Sequence, residues 1–265
     1  MKRYPLLLVV VLAATVSIPV RAQFTDEELA QRETWEEFLA SAEIVESEQM
    51  GESEGVTRPW KLLLRGGGVE SKAVWKNVEG RKGGFWECWK CEIAAYRMDK
   101  YLGVDAVPPA IERRFKGNGA IILWADSWID GRKKQAEKIP VAPRRIGHWN
   151  ERTALQRAFD NLIGNIDRHL GNVLITEDWR IILIDHTRAF RSDKKSMKKL
   201  QYVGKDKPMK RLPRSFVEKV KALDESKLRE IVGDSLNDKE VAAVLARRVL
   251  LLEEIEKQGT YLYDR

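Results

Sequence analysis

Cysteine and histidine are scarce in this chain of 265 residues. Only two cysteines, Cys88 and Cys91, and three histidines occur. Two cysteines exclude a multi-bridge disulfide framework, and one Cys-x-x-Cys pair lacks the further ligands of a structural zinc site. A hydrophobic core must therefore supply the stability, and the chain is long enough to bury one. We expect both cysteines to pack at the start of a helix, with a strained local disulfide as the alternative.

Long apolar runs are also absent, except at the N-terminus. There, Lys2 and Arg3 precede an apolar run over residues 6–16, and a small-x-small pattern ends at Ala22. The run is too short to span a bilayer and has the layout of a signal peptide. The pattern predicts a signal peptide over residues 1–22, cleavage near Ala22, and an exported protein, periplasmic or secreted, with no membrane span. A retained N-terminal anchor is the alternative.

Charges of both signs are plentiful but separated along the chain. Residues 26–54 contain eleven acidic side chains against one basic, whereas residues 188–221 contain thirteen basic against three acidic. Such asymmetry indicates either self-complementary parts of the protein or a basic face for an anionic partner. The basic stretch carries no recognised nucleic-acid-binding motif, so nucleic acid is not the expected partner.

The acidic N-terminal segment has the apolar spacing of an amphipathic helix. Apolar residues recur at near-helical intervals, and Thr25 with Glu28 has the pattern of a capping box. This predicts a helix over residues 27–49, followed by a glycine-containing break. We therefore expect residues 23–56 to form an acidic helical extension that packs on the main domain.

From Trp60 onward, the apolar pattern changes to that of strands. Short apolar segments flank Gly66-Gly67-Gly68 and again Gly117-Asn118-Gly119, and both patterns are typical of β-hairpins. A helix is predicted over residues 88–102, with Gly103 after its last turn. Further helices are predicted over about residues 151–163, 214–223, 226–232 and 238–257. The chain is thus rich in strands first and in helices later.

Residues 161–190 carry the polar side chains around which the chain is organised. Apolar runs at 173–175 and 181–184 flank a polar turn and predict a tight β-hairpin. Antiparallel strands bring their outer ends together, so Asn172 before the first strand and Asp185 after the second should be neighbours. Amide and carboxylate oxygens suit Mg²⁺, which is usually bound by only a few protein ligands together with substrate phosphates. Asp167 is placed to orient an attacking hydroxyl, and the group predicts phosphoryl transfer.

These residues form a recognisable motif. Asp167-Arg168-His169-x-x-Asn172, followed thirteen residues later by Asp185, resembles the catalytic loop and metal-binding aspartate of the protein-kinase-like fold. The Asp-Arg-His order is similar to the atypical branch, which includes phosphoinositide kinases, HipA toxin kinases and secretory-pathway kinases. The resemblance implies ATP as nucleotide and Mg²⁺ or Mn²⁺ as metal.

The resemblance covers about residues 57–257 and implies a fold. The expected class is α+β, with the two lobes of the protein-kinase-like fold. Residues 57–127 would form a small, β-rich N-lobe with one long helix, and residues 128–265 a mainly helical C-lobe.

Nucleotide-binding roles in the N-lobe follow from the same resemblance. Ala73-Val74-Trp75-Lys76 is similar to the kinase strand whose lysine pairs with the nucleotide phosphates, and Lys72 is the alternative to Lys76. Glu92 on the next helix would hold that lysine, with Glu87 as the alternative. Gly67 and Gly68 would form a phosphate lid or a plain hairpin tip. Trp124 falls at the adenine-binding hinge.

Catalytic and metal-binding roles are implied in the C-lobe. Asp167 would accept the proton of the substrate hydroxyl, and His169 would help to stabilise the transferring charge. Asn172 and Asp185 would hold the divalent metal. Catalysis of this kind depends mostly on positioning and charge neutralisation, so few residues suffice.

Three features depart from the family pattern. Asp185-His186-Thr187 stands where kinases have Asp-Phe-Gly, the glycine loop is irregular, and an exported protein of a bacterial type meets little ATP. An exported pseudokinase that serves as a binding module, or a kinase-fold AMP-transferase, therefore stays open as an alternative function. The acceptor of a true kinase is a protein, lipid, sugar or small molecule, and the basic stretch between Arg188 and Lys221 favours an anionic one.

Overall fold

The structure of the protein is a computed structural model that describes residues 25–51 and 57–264. The predicted signal peptide, residues 1–22, lies outside the described residues. Among the helices that are described, none combines the length and the apolar character needed to cross a bilayer.

Most of the predicted strands and helices occur in the expected order, and several short elements that were not predicted lie between them. The N-terminal part contains α1 (Asp26–Ala30), α2 (Arg32–Ser41), β1 (Glu43–Gln49), β2 (Trp60–Gly66), β3 (Val69–Lys76), β4 (Glu79–Lys82), β5 (Phe85–Cys88), α3 (Lys90–Leu102), β6 (Ala110–Glu112) and β7 (Ala120–Leu123). The C-terminal part contains β8 (Ile129–Asp130), α4 (Gly131–Ala136), α5 (Ile146–Ile163), β9 (Val173–Ile175), β10 (Ile181–Leu183), β11 (Arg211–Pro213), α6 (Arg214–Ala222), α7 (Glu225–Val232), α8 (Asp238–Lys257) and β12 (Tyr261–Tyr263).

A five-stranded antiparallel sheet forms the N-lobe, in the order β1-β2-β3-β7-β6. Side chains alternate across each strand, so Ala73 and Trp75 of β3 are buried in one cluster with Leu62 and Leu64 of β2. Lys76 ends the same strand on the opposite face. The two hairpins predicted in this region, β2–β3 and β6–β7, are both confirmed.

The helix predicted over residues 27–49 is wrong at its C-terminal end. Helix α2 ends at Ser41, and Glu43–Gln49 form β1, which pairs with β2 at the edge of the sheet. The apolar spacing continued into Ile44 and Val45, but strand pairing is a long-range contact that a local period cannot report. The exposed glutamates of β1 suit an edge strand, because charge there discourages further pairing. Residues 43–49 therefore belong to the sheet.

The N-terminal helices are joined to α3 by polar contacts. At the start of α1, Thr25 and Glu28 form the predicted capping box. Arg32 of α2 donates to Asp99 of α3 at 2.5 Å, and both side chains are buried. Tyr96 of α3 donates its hydroxyl to Glu36 of α2 at 2.5 Å. The contacts of Arg32 and Glu36 hold α3 against α2.

Helix α3 agrees with its prediction apart from its first two residues. It begins at Lys90 because Cys88 still belongs to β5, which pairs with β4 in a small hairpin. It ends before Gly103, whose φ of 68° is the left-handed value that favours glycine at this position. Cys88 and Cys91 are buried and free, so the two cysteines pack without a disulfide.

The C-lobe is mainly helical. Helices α5, α6, α7 and α8 bury their apolar faces in the large core cluster that also includes much of α3. Helix α5 begins at Ile146, earlier than predicted, and α6 to α8 end within one residue of their predicted ends. The predicted hairpin β9–β10 is present, with Ile181 opposite Ile175, and β8 extends it. The protein is thus an α+β molecule with a sheet lobe and a helical lobe.

The close packing of the β6–β7 loop on β3 can be tested by Gly119→Ala. A Cβ at this position would lie 2.6 Å from the carbonyl oxygen of Lys76 and 2.6 Å from the ring of Trp75. Backbone or core side chains must move to relieve this contact. We expect the free energy of unfolding to fall by about 1–3 kcal/mol in denaturant titrations.

Gly147→Ala is the matched control for Gly119→Ala. Gly147 lies in α5, and a Cβ there would meet no atom within 4 Å. Alanine is the better helix former, so the change should be neutral or stabilise by up to about 1 kcal/mol. Equal destabilisation by the two substitutions would contradict the packing at Gly119.

Candidate active site

The hairpin β9–β10 brings two candidate metal ligands together. The Ile184 N–H donates to the carbonyl oxygen of Asn172 at 3.2 Å, so Asn172 and Asp185 are neighbours at the open end of the hairpin. Asp185 has a φ of 59°, a left-handed conformation that few residue types other than glycine tolerate. Strained backbone of this kind persists where the surrounding structure holds it, and active sites are common places for it.

The Lys76 ammonium lies between two carboxylates. Its Nζ is 2.6 Å from Oε1 of Glu92 on α3 and 2.9 Å from Oδ1 of Asp185 after β10. The side chains of Lys76 and Glu92 are 10% and 4% exposed. Lys72, the alternative on the same strand, is exposed. The structure thus unites three of the predicted site residues, which come from β3, α3 and the hairpin.

Mutual pairing keeps these three groups charged although Lys76 and Glu92 are almost completely buried and Asp185 is partly buried. Burial lowers the pKa of Lys76, but Asp185 and Glu92 outweigh it, and the pKa lies above its ordinary value. Burial raises the pKa of Glu92, but the Lys76 ammonium and the hydrogen bond from His186 outweigh it, and the pKa is lowered. Burial likewise raises the pKa of Asp185, and Lys76 reverses the shift. All three groups are therefore ionised at neutral pH.

Local hydrogen bonds hold the loop that carries Asp167. The Asp167 N–H donates to Oδ1 of Asn165 at 3.1 Å, and its carbonyl oxygen accepts from Nδ2 of Asn172 at 3.2 Å. His169 is exposed, and its Nδ1 accepts from the Gly171 N–H at 3.1 Å. Since Nδ1 accepts, the other ring nitrogen, Nε2, is the one that can donate to a ligand.

Arg168 is buried beneath the candidate catalytic loop and stabilises it. It pairs with Asp160 of α5 at 3.1 Å. Its Nη1 donates to the carbonyl oxygens of Asn172 at 2.9 Å and Ile184 at 2.7 Å, which are the two ends of the hairpin. Arg168 was not predicted to be a site residue, although its place within the motif was a usable signal. Nothing in the sequence distinguishes Asp160 from other helical carboxylates.

Arg188 was also missed, because it counted only as part of the basic stretch. Its Nε lies 2.6 Å from Oε1 of Glu87 on β5, and its Nη1 lies 3.2 Å from Oδ2 of Asp167. The guanidinium lies over the ring of Phe85, 4.5 Å from the centroid. Glu87 therefore pairs with Arg188, whereas Glu92 pairs with Lys76. Arg188 connects the β4–β5 hairpin to the candidate catalytic carboxylate.

The oxygen donors at the hairpin end fit a divalent cation. Both described hydrogen bonds to the Asp185 carboxylate, from Lys76 and from the Thr187 hydroxyl, go to Oδ1. The side chain is 39% exposed, and neither of these hydrogen bonds occupies Oδ2, which is therefore the candidate ligand atom for a cation. Within residues 25–51 and 57–264, no group of three or more His, Cys, Asp or Glu side chains forms a metal cluster. A cation here would rest on Asn172, Asp185, phosphate and water, which suits Mg²⁺.

The remaining predicted nucleotide residues lie apart from this charge cluster. Gly67 and Gly68 form the β2–β3 turn with φ values of 56° and 78°, and a Cβ at either would meet nothing within 4 Å. Trp124 follows β7, and its N–H donates to the Lys72 carbonyl oxygen at 3.1 Å. A contact from Trp124 to a nucleotide would therefore use its carbonyl group or its ring.

The chain is similar in part to known proteins. The family model of phosphatidylinositol 3- and 4-kinases matches residues 152–238, a segment that contains Asp167, Asn172 and Asp185. The chain is also similar to the crystal structure of a Helicobacter pylori proinflammatory kinase, CtkA, with 12% sequence identity between the two chains and a TM-score of 0.48. That alignment covers 83% of this chain and 95% of the other. Among curated proteins, none matches the sequence.

The fold and the site define a kinase-like protein with a sheet lobe, a helical lobe and a charge cluster between them. More narrowly, the Asp-Arg-His order and the family match show an atypical protein-kinase-like fold, as the motif predicted. Such a fold implies nucleotide binding, and kinase domains in general use ATP with a divalent metal.

Lys76→Met should destabilise the protein strongly at neutral pH. Breaking a buried ion pair by removing one partner costs about 3–5 kcal/mol, and the partial exposure of Asp185 favours the lower end. Without the ammonium, burial and mutual repulsion would raise the pKa values of Glu92 and Asp185 above those of the unfolded chain. Such carboxyl groups destabilise above their unfolded pKa of about 4, and protonation relieves the loss as the pH falls.

The measurement is denaturant unfolding of wild type and variant at pH 7 and pH 4. The difference in the free energy of unfolding should shrink at pH 4. Lys72→Met on the exposed face of the same strand is the control and should change stability by less than about 0.5 kcal/mol at either pH. An equal effect of Lys76→Met at both pH values would show that the ammonium does not hold the two carboxylates ionised.

Proposed function

We propose that the protein is a phosphotransferase that uses ATP and a divalent metal to phosphorylate a hydroxyl group. The supporting observation is the Lys76 ammonium held at once by Glu92 and by Asp185. The first contact would orient the lysine towards nucleotide phosphates, and the second keeps it beside the candidate metal ligand. A buried lysine that only stabilised the fold would not need Asp185 as a partner, because Asp185 is partly exposed and has a left-handed backbone conformation.

The side chains suit distinct parts of phosphoryl transfer. Lys76 would bind the phosphates, and Asp167 would accept the proton of the attacking hydroxyl. His169 would donate from Nε2 to the transferring group, since Nδ1 is already an acceptor. Asn172 and Asp185 would hold Mg²⁺ or Mn²⁺, which supplies charge neutralisation on the phosphate oxygens. The chain itself contributes mostly position and charge, as this chemistry requires.

An anionic acceptor is the substrate class we favour. Seven exposed lysines occur within the basic stretch that follows Asp185: Lys194, Lys195, Lys198, Lys199, Lys205, Lys207 and Lys210. This stretch continues directly from the candidate metal ligand, where kinases carry a substrate-binding or activation segment. Concentrated positive charge there would attract an anionic acceptor and speed its association.

A binding module without phosphotransfer is the second candidate function. Its supporting observation is the contact between Arg188 and Asp167, 3.2 Å apart. A catalytic base must be free to accept a proton from the acceptor, and a guanidinium paired with it opposes that role. A phosphotransferase would change its turnover when Arg188 or Asp167 is substituted, whereas a binding module would show no turnover in any variant. Both functions require that the protein binds a nucleotide or a partner.

The test is a thermal-shift titration of the protein with ATP, with and without Mg²⁺ or Mn²⁺. A ligand that binds only the native state raises the melting temperature, by an amount equivalent to about 2.7 kcal/mol at 100 times Kd. We expect a metal-dependent shift that Asp185→Asn abolishes. Asparagine tolerates the left-handed backbone and keeps the size of the side chain, so the variant should fold.

Asp167→Asn is the paired variant for that titration. It should keep the ATP shift but lose turnover, measured as ADP release, because nucleotide binding does not need the base. No shift with either metal would contradict both the metal site and the phosphotransferase. A shift in wild type without turnover on any anionic acceptor would favour the binding module.

We also propose that the protein is exported after cleavage near Ala22. The support is the basic-then-apolar pattern of residues 1–22, which lie outside the described structure. N-terminal sequencing of the protein recovered from the extracytoplasmic fraction should begin at Gln23. An intact Met1 in recovered protein would contradict cleavage.

A further inference from the structure

His186 lies between the catalytic loop and α3. Its side chain is fully buried, and both ring nitrogens have a partner. Nε2 is 2.8 Å from Nη2 of Arg168, and Nδ1 is 3.3 Å from Oε2 of Glu92. The ring of Phe159 packs edge-on against the imidazole, with 6.5 Å between centroids. The residue after the candidate metal ligand thus contacts both lobes.

The two partners determine where the imidazole carries its proton. A guanidinium has donors only, so Nε2 must accept a hydrogen bond from Arg168 and carries no hydrogen. Glu92 is ionised and only accepts, so Nδ1 must be the protonated nitrogen. The hydrogen-bond geometry therefore places a ring hydrogen of His186 on Nδ1 and leaves Nε2 as the acceptor.

The imidazole joins two ion pairs that come from different lobes. On one side, Asp160 of α5 holds Arg168, which immediately follows Asp167 and also binds both ends of the hairpin. On the other side, Glu92 of α3 holds Lys76 of β3. Hydrogen bonds thus run without a break from the helix beneath the catalytic loop to the lysine in the sheet.

The backbone around His186 keeps the ring in this place. The Cys88 N–H of β5 donates to the carbonyl oxygen of Thr187 at 2.9 Å, so the next residue is attached to the N-lobe. A phenylalanine, as in the Asp-Phe-Gly of other kinases, would fill a similar volume but offer no hydrogen bond. The two ion pairs would then keep their own partners but lose the connection between them.

We propose that His186 is a positioning residue that sets the placement of Asp167 relative to the Lys76–Glu92 pair. The proposal rests on the proposed phosphotransfer, because the relative placement matters only if Asp167 and Lys76 act on one nucleotide and its acceptor. The imidazole acts through Arg168 on the loop that bears the base, and through Glu92 on the lysine that holds phosphate. It touches no reacting atom itself.

The first test reads the imidazole directly and needs no activity. Long-range ¹H–¹⁵N correlation spectra of the full chain labelled at histidine should contain signals of three rings, and the His186→Phe spectrum identifies that of His186. We expect a protonated Nδ1 and an unprotonated Nε2, the opposite of the tautomer that free histidine favours in water. His169, whose Nδ1 accepts, is the internal reference and should not show a proton on Nδ1 alone. A proton on Nε2 of His186 would overturn the proposal.

The second test separates the two hydrogen bonds by substitution. The amide nitrogen of asparagine can replace the Nδ1 donor to Glu92, whereas the amide oxygen of glutamine can replace the Nε2 acceptor of Arg168. His186→Asn should therefore lower kcat with little change in the KM for ATP, and His186→Gln should mainly raise that KM. His186→Phe should lose both bonds and lower kcat/KM by about 10- to 100-fold, as is typical when a group that orients a ligand is removed.

Val244→Ala is the control for a general loss of stability. Val244 is fully buried on α8, outside this chain of polar contacts, and its truncation should lower the melting temperature without changing kcat or KM. The bond from Arg168 to Asp160 does not involve His186, so we expect the guanidinium to stay paired in each His186 variant. If all three His186 variants lost only melting temperature, as Val244→Ala does, the positioning role would be contradicted.

The two tests distinguish failure of this proposal from failure of the proposed function. Wild-type protein that binds nucleotide without turnover, but shows the Nδ1–H imidazole, would refute phosphotransfer and with it the catalytic purpose of His186. Active protein with the Nε2–H imidazole, or with unchanged kinetics in His186→Phe, would refute the positioning role alone. Active protein with the Nδ1–H imidazole and the kcat and KM split supports both.

Discussion

The buried Lys76 ammonium is the charge on which the candidate site depends. Glu92 from α3 and Asp185 from the hairpin end both contact it, so three separate parts of the chain must meet around one nitrogen. Charges taken out of water are unfavourable unless each is paired and hydrogen-bonded. The sheet, α3 and the hairpin therefore have to dock together before any of these groups is stable in its place, and docking of the lobes also assembles the site.

The C-lobe repeats this arrangement with a guanidinium. Arg168 distributes its donors between the carboxylate of Asp160, the two ends of the hairpin and the ring of His186. An apolar interior of the same volume would often be more stable, but it would not determine how the loop and hairpin lie relative to each other. Here the directions of the hydrogen bonds from Arg168 determine how the loop and the hairpin lie relative to each other. The polar interior thus favours one geometry of Asp167, Asn172 and Asp185.

Local patterns were enough for much of the fold. The hairpin β9–β10, the glycine turn before β3 and helices α3, α5, α6, α7 and α8 follow from apolar periodicity, because each element is stabilised largely by its own sequence and one buried face. Helix α4 was not predicted, since its residues were expected to form a basic loop. Periodicity failed at Glu43–Gln49, where a strand forms because the edge of β2 needs a partner. Apolar periodicity could not indicate a role for Arg188, because its contacts with Glu87 and Asp167 join residues far apart in the chain.

The sequence by itself determined which groups with chemistry exist and which of them a short loop brings together. Asp167, His169 and Asn172 lie within six residues, and the tight hairpin adds Asp185, so their proximity is set by local geometry. Only the tertiary structure decided that Lys76 rather than Lys72 meets Glu92, that Glu87 pairs with Arg188, and that His186 links Arg168 to Glu92. Those choices depend on how the two lobes dock, since desolvation makes only the fully paired arrangement of buried charges stable.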